Sequence, residues 1–325
     1  MPIWQAEMRD AIRDLGELRR ALDLPNDPSL GARAAADQFS VFVPRPFLRR
    51  MRPASPRDPL LLQVLPTRQE EELRAGFVAD PVGDEAAQKA PGLLQKYAGR
   101  ALLTATGVCA VHCRYCFRRH YPYGEVPRRE EAWNPALDVL QADASIHEVI
   151  LSGGDPLTLT DRRLRVLADR IAAIPHVRRL RIHTRLPVMI PSRVAGELLA
   201  WLTGGRLTPI VVIHANHAQE IDNEVGAAID LLRRAGATLL NQAVLLRDVN
   251  DSVEAQCSLS ERLVEVGVTP YYLHQLDRVQ GAAHFETTER QGRSIIEQMQ
   301  RRLSGYMVPR YVRETPGESQ KSALL

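Results

Sequence analysis

Cys109, Cys113 and Cys116 fall within eight residues, in the stretch GVCAVHCRYCF (107–117). The C-x-x-x-C-x-x-C spacing lets one tight loop aim three thiolates at a common centre. Four thiolates close an electron-transfer iron–sulfur cluster. Three leave one iron of a cube open, and an open iron can bind and reductively cleave S-adenosylmethionine. The loop thus points to radical chemistry. The competing reading is half of a zinc site, which needs four Cys or His ligands when closed. Cys257 lies far downstream with no partner beside it, and His112 directly precedes Cys113, which makes joint ligation awkward. Disulfides are not expected, because no secretory leader is apparent.

Two further constellations could do chemistry. The turn Ser152-Gly153-Gly154-Asp155-Pro156 follows an apolar run. Glycines there let backbone approach a ligand closely, and exposed amides suit a zwitterionic amino acid group. Taken alone, the same residues are a strand-to-helix turn. Near the C-terminus, Lys321 follows Pro316-Gly317-Glu318-Ser319-Gln320. It reads either as a solvated tail residue or as a Schiff-base lysine for pyridoxal phosphate. Spacing does not choose between these.

The elements that must position these groups come next. At 325 residues and 45 % hydrophobic content the chain can bury one large core with appendages. A net charge of +3 against 42 basic and 39 acidic side chains gives no bulk support for nucleic-acid binding. The basic clusters Arg128-Arg129, Arg162-Arg163-Arg165 and Arg178-Arg179-Arg181 read as solvated faces, whereas Arg118-Arg119 directly follows the last cysteine. No apolar run has transmembrane length, so a soluble, cytoplasmic protein is expected.

Residues 4–22 carry helical apolar spacing, ended by Leu24-Pro25-Asn26-Asp27-Pro28, and prolines break up 40–66 into an irregular strap. From about residue 100, apolar runs (101–106, 148–151, 179–183, 209–215, 238–246, 270–276) alternate with helix-like stretches near 134–143, 160–173, 192–202, 222–235, 252–266 and 287–303. Thr160, Ser192, Asp222 and Asp251 are expected caps. Most runs end in polar residues, including His183-Thr184-Arg185, His214 and Asp277, and one carries Asn241 and Gln242. Polar groups at many strand ends fit a barrel-type site. The expectation is an α/β fold, an open partial (βα)6 TIM-type barrel. Its expected organisation is a helical N-terminal arm and strap (1–95), the barrel (96–280), and a short C-terminal cofactor-binding segment (281–325) with a strand at Met307–Val312.

Several motifs in order carry a resemblance: the cluster loop followed by Phe117-Arg118-Arg119, then SGGDP, LLNQAVLLRDVND (239–251), YYLHQLDRVQGAAHFET (271–287) and PGESQK (316–321). With DPLLLQVLP from residue 58, the chain resembles the lysine 2,3-aminomutase family of radical S-adenosylmethionine enzymes over most of its length. VPRPFLRRM and LHQLDRVQGAAHF are similar to the short branch that makes (R)-β-lysine for modification of elongation factor P.

The resemblance implies roles position by position. Cys109, Cys113 and Cys116 would hold a 4Fe–4S cluster. Ser152, Gly153, Gly154, Asp155 and His214 would help seat S-adenosylmethionine. Lys321 would carry pyridoxal phosphate as a Schiff base, with Arg100, Tyr97 and Gln242 binding its phosphate and ring. Arg118 would pair with the substrate carboxylate, and Asp277 and Glu314 would receive the distal ammonium of L-lysine. Implied partners are elongation factor P with its lysine ligase and an electron donor such as flavodoxin. The longer fermentative members carry Asp where Glu314 stands, a glycine-rich lysine motif, and a Cys-rich zinc segment beyond the lysine; its lack here implies a monomer or dimer. Two rival readings are a radical S-adenosylmethionine enzyme without pyridoxal phosphate and a non-catalytic metal-binding module.

Overall fold

A computed structural model describes residues 1–25, 31–127 and 129–325; Asn26, Asp27 and Pro28 of the expected helix stop, and Arg128, lie outside the described residues. Ten strands form one sheet in sequence order: β1 (Gln88–Ala90), β2 (Leu93–Tyr97), β3 (Arg100–Thr106), β4 (Glu148–Gly153), β5 (Arg179–Thr184), β6 (Thr208–Ile213), β7 (Thr238–Val244), β8 (Thr269–His274), β9 (Arg310–Arg313) and β10 (Ser322–Ala323). The helices are α1 (Ile3–Arg9), α2 (Leu15–Ala21), α3 (Arg33–Gln38), α4 (Arg45–Leu48), α5 (Pro59–Leu62), α6 (Asn134–Ala142), α7 (Asp161–Ala172), α8 (Leu186–Met189), α9 (Gly196–Thr203), α10 (Asn223–Arg234), α11 (Val253–Glu265) and α12 (Glu289–Arg302).

Strands β3 to β9 are parallel neighbours. Each crossover carries at least one helix, as parallel pairing requires. β1 and β2 add an antiparallel edge at one end and β10 another at the far end, and the two edge strands do not pair with each other among the described residues. The fold is therefore the expected open partial barrel, with β9 as a seventh parallel strand that the six expected repeats did not include.

Strand alternation decides what faces the interior. Arg100 and Leu102, Ile150 and Ser152, Arg181 and His183, Gln242 and Val244, and Tyr272 and His274 line one cavity. The residues between them, such as Leu103, Val149, Leu151, Leu180, Ile182, Leu239 and Leu273, enter the apolar core beneath the helices. The helices answer with single apolar stripes, as in α7, where Leu164, Leu167, Ala168 and Ile171 are buried.

Four local expectations are corrected. The single helix over 4–22 is two, α1 and α2, because Ile12 leaves the helix to exchange both backbone hydrogen bonds with Val43 at 2.9 Å. Arg13 then closes α1 by donating to Met8 O and Arg9 O at 2.9 and 2.8 Å. Ser192 lies in a tight turn, so α9 starts only at Gly196, and Ser252, not Asp251, caps α11 by accepting from Ala255 N. The last long strand begins at Arg310, since Met307 ends a helical turn.

Candidate active site

The cysteine loop leaves the end of β3, and all three thiols are free, half-buried and directed at the same cavity. What shapes the loop is the N-terminal arm. His112 N donates to Phe42 O at 3.1 Å and Arg114 N to Gln63 O at 2.9 Å. The Arg114 side chain, 0 % exposed, points away from the sulfurs into the arm. It donates to Glu70 through Nε (Oε1, 2.9 Å) and Nη2 (Oε2, 2.6 Å), and to the carbonyls of Ala35 and Phe39. Arg119 reaches the same Glu70 at 2.9 Å and Gly281 O at 3.1 Å. His112 is stacked on Phe39 with its Nδ1 2.8 Å from Ser40 O, turned to the arm.

Burial raises the Cys109 thiol well above its ordinary pKa and Cys116 to about 11, and the charge of neighbouring thiolates adds to both. Such thiols ionise only against a strong positive centre, which iron supplies. Among the described residues no three His, Cys, Asp or Glu converge as single-ion ligands do. A cube does not require that, because each thiolate binds a separate iron. The donor set fits a cluster. Beside it, Arg185 Nη1 lies 2.8 Å from Cys113 Sγ and 2.8 Å from the Tyr115 hydroxyl, while its Nη2 donates to Glu220 at 2.8 Å.

The Gly153-Gly154 turn is pressed against the first residues of the cysteine loop. Gly154 N donates to Thr106 O at 2.8 Å and Asp155 N to Val108 O at 2.7 Å. A Cβ on Gly153, whose φ is +118°, would stand 2.5 Å from Thr106 O, and one on Gly154 would stand 2.3 Å from Val108 O. The small residues are thus required by the protein's own backbone, a reason the sequence did not reveal. Asp155 turns its carboxylate inward to Thr184 Oγ1 (2.7 and 2.9 Å) and the amides of Leu157, Arg185 and Leu186. Its burial raises its pKa despite those donors. The Ser152 hydroxyl accepts from Arg118 Nη1 at 3.2 Å.

Three histidines face the cavity with no hydrogen-bond partner at Nε2 among the described residues: His183, His214 and His274. Burial holds all three neutral, with His214 and His274 lowered to about 3. Orphaned buried nitrogens on a cavity wall fit a polar ligand.

At the other end, the antiparallel pairing of β10 with β9 sets Ser322 opposite Arg313, which brings the preceding Lys321 to Glu314. Lys321 Nζ donates to Glu314 Oε2. Burial opposes ionisation of Glu314, but the charges of Lys321 and Lys96 win and hold its pKa at about 2. Asp277 has the opposite fate: burial, then the charge of Glu314, raises it to about 7. The Arg100 guanidinium lies 4.5 Å over the Tyr97 ring. A lysine that shares a cavity with an aromatic–arginine pair and Gln242 gives a donor set that suits a phosphorylated pyridine aldehyde.

Every site residue named from the sequence lines this one cavity. Three that sequence reading missed are Glu70, Asp84 and Lys96, whereas Arg185 was read only as one of the polar strand-end residues. Asp84 Oδ2 accepts from Arg118 Nε at 2.7 Å, and Lys96 Nζ lies 2.7 Å from Asp84 Oδ1 and 3.4 Å from Glu314 Oε1.

No protein-family model matches the chain. The L-lysine 2,3-aminomutase of Escherichia coli (strain K12) is 45 % identical over 322 residues, spanning 99 % of this chain and 94 % of that protein. That of Haemophilus influenzae is 44 % identical over 98 % of this chain and 94 % of the relative. The Clostridium subterminale enzyme of the same name is 33 % identical over 99 % of this chain and 77 % of its own length. Among solved structures, a radical SAM methyltransferase from Sphaerobacter thermophilus aligns with 68 % of this chain and 68 % of its own at a TM-score of 0.47 and 19 % identity.

Proposed function

Because the chain belongs to the L-lysine 2,3-aminomutase family, and so is an isomerase, we propose that it converts L-α-lysine to (R)-β-lysine in this cavity. The observation that carries the reading is Lys321, paired with Glu314 on one wall of the cavity that the three cysteines also face. S-adenosylmethionine and a 4Fe–4S cluster, when bound, supply a 5′-deoxyadenosyl radical, and pyridoxal phosphate supplies the conjugated system across which nitrogen moves.

The residues divide the remaining work. Cys109, Cys113 and Cys116 hold the cluster, and Glu70 with Arg114 keeps their loop in place. Ser152, the Gly153–Asp155 turn and His214 border the S-adenosylmethionine site, Asp155 by fixing the turn. Lys321 anchors pyridoxal phosphate, with Arg100, Tyr97 and Gln242 around it. Glu314 and Asp277 present two carboxylates to one part of the cavity. The distal ammonium of lysine would be drawn to that end, whereas glutamate would add a third carboxylate. Arg118 takes the carboxylate end through its permanent guanidinium charge. Holding both ends places the β-carbon for hydrogen abstraction and confines the radical.

The wording of VPRPFLRRM and LHQLDRVQGAAHF supports a role in supplying β-lysine for modification of elongation factor P, in the cytoplasm, with a flavodoxin-type reductant. No helix of the described chain is long and apolar enough to cross a membrane. The test is anaerobic reconstitution with iron, sulfide and pyridoxal phosphate, then incubation with L-lysine, S-adenosylmethionine and dithionite. Chiral chromatography should resolve (R)-β-lysine. Unchanged lysine, with other amino acids equally inert, would overturn the reading.

A further inference from the structure

We propose that Asp84 and Lys96 form a strut that sets the distance between the two ends of the substrate site, and so selects the length of the diamino acid. The inference rests on the reading of Arg118 and Glu314 as the carboxylate and ammonium contacts. Its basis is a continuous buried chain of charges. Arg118 Nε donates to Asp84 Oδ2 at 2.7 Å, Asp84 Oδ1 meets Lys96 Nζ at 2.7 Å, and Lys96 Nζ meets Glu314 Oε1 at 3.4 Å. Asp84 and Arg118 expose 3 % and 7 % of their side chains, Lys96 19 % and Glu314 11 %. Alternating signs in such a shielded place resist stretching, which would leave a charge unpaired, and close atomic contact resists compression.

The backbone that carries Asp84 is itself tied to each substrate contact. Val78 N donates to Arg278 O and Gln280 N to Val78 O, both at 2.9 Å, on the segment that directly follows Asp277. Lys96 Nζ also donates to Val82 O at 2.8 Å. A Cβ on Gly83, whose φ is +67°, would stand 3.3 Å from Pro316, two residues past Glu314. One strap thus joins the surroundings of Arg118, Asp277 and Glu314. Asp84 takes the Nε edge of Arg118 and Ser152 takes Nη1. The guanidinium is thereby held in one orientation. As a positioning residue, Asp84 makes the span between carboxylate and ammonium a fixed length.

The test measures equilibrium binding of L-lysine and of L-ornithine, one methylene shorter, by dialysis against enzyme loaded with cluster and pyridoxal phosphate, without S-adenosylmethionine or reductant. Removing the charge in Asp84→Asn should weaken lysine about tenfold, and the lysine-over-ornithine ratio should fall about fivefold. Asp84→Glu restores the charge at a different length; it should recover affinity to within about threefold of wild type while the ratio stays altered. Iron content and pyridoxal phosphate absorbance in both variants check that the fold is intact. If the variants keep the wild-type ratio while losing affinity, or if Asp84→Glu restores both, the strut is refuted. Wild-type enzyme that binds neither diamino acid would instead refute the lysine reading itself, and the strut with it.

Discussion

Lys321 donates to Glu314 across the β9–β10 pair, so the amine proposed to carry the cofactor is held by a carboxylate proposed to receive the substrate. Glu314 is thereby kept ionised, with a pKa of about 2, and Asp277 beside it is pushed up to about 7. Two carboxylates in one pocket have been driven apart by which of them owns the cation.

That separation predicts a pH profile. In the free enzyme Asp277 is neutral below about 7 and gains its charge above. Because kcat/KM reports ionisations of the free, cofactor-loaded enzyme, its value for L-lysine should rise with pH as Asp277, held above the ordinary carboxylate range by burial, gains its charge. Asp277→Asn should lower kcat/KM by about tenfold at pH 8 and flatten the rise. A rise that persists unchanged in the variant would assign it to another group.

The same group makes a stability prediction of opposite sense. A carboxyl whose pKa is raised on folding, here from 3.8 to about 7, binds its proton more tightly when folded. Folding is therefore penalised progressively between those values, and fully above the upper one. Asp277→Asn without cofactors should melt at a higher temperature than wild type at pH 8, and the difference should vanish near pH 4. Calorimetry that shows a less stable variant at pH 8 would contradict the assigned burial of charge.

Glu70 is the third test. It accepts from both Arg114 and Arg119, and none of these side chains is more than 2 % exposed. Glu70→Gln leaves a buried cation short of its counter-charge, which costs about 3 kcal/mol or more. Denaturant titration should show that loss, and iron retained after reconstitution should fall with it. A change below about 1 kcal/mol would mean the arm does not hold the loop.

Gly154→Ala probes the turn. Its Cβ would stand 2.3 Å from Val108 O, one residue before Cys109. The loop must shift, so reconstituted iron should drop by more than about half while pyridoxal phosphate absorbance at the distant Lys321 persists. Full iron content in this variant would show that the turn and loop yield independently.

What the sequence disclosed, and what it hid, follows from range. The cavity-facing residues at strand ends were legible because strand parity and turn chemistry are local, and the ordered motifs added Lys321, Glu314 and Arg118. The helix at 4–22 was misread because pairing of Ile12 with Val43 is not local and overrides the apolar period. Asp84 and Lys96 escaped notice because their partners, Arg118 and Glu314, lie 34 and 218 positions away. Gly153 and Gly154 were found, yet their purpose was not, since the carbonyls they avoid belong to the end of β3 and the loop beyond it.

The central claim is that nitrogen moves from the α- to the β-carbon of L-lysine in this cavity. The most direct measurement uses L-lysine labelled with spin-active nuclei at the α-nitrogen and the β-carbon, turned over by the reconstituted enzyme and followed by NMR. A one-bond coupling between the two labels should appear in the product, and Lys321→Ala should abolish it. Turnover without that coupling, or lysine left untouched by wild-type enzyme with full cluster and pyridoxal phosphate, would contradict the account.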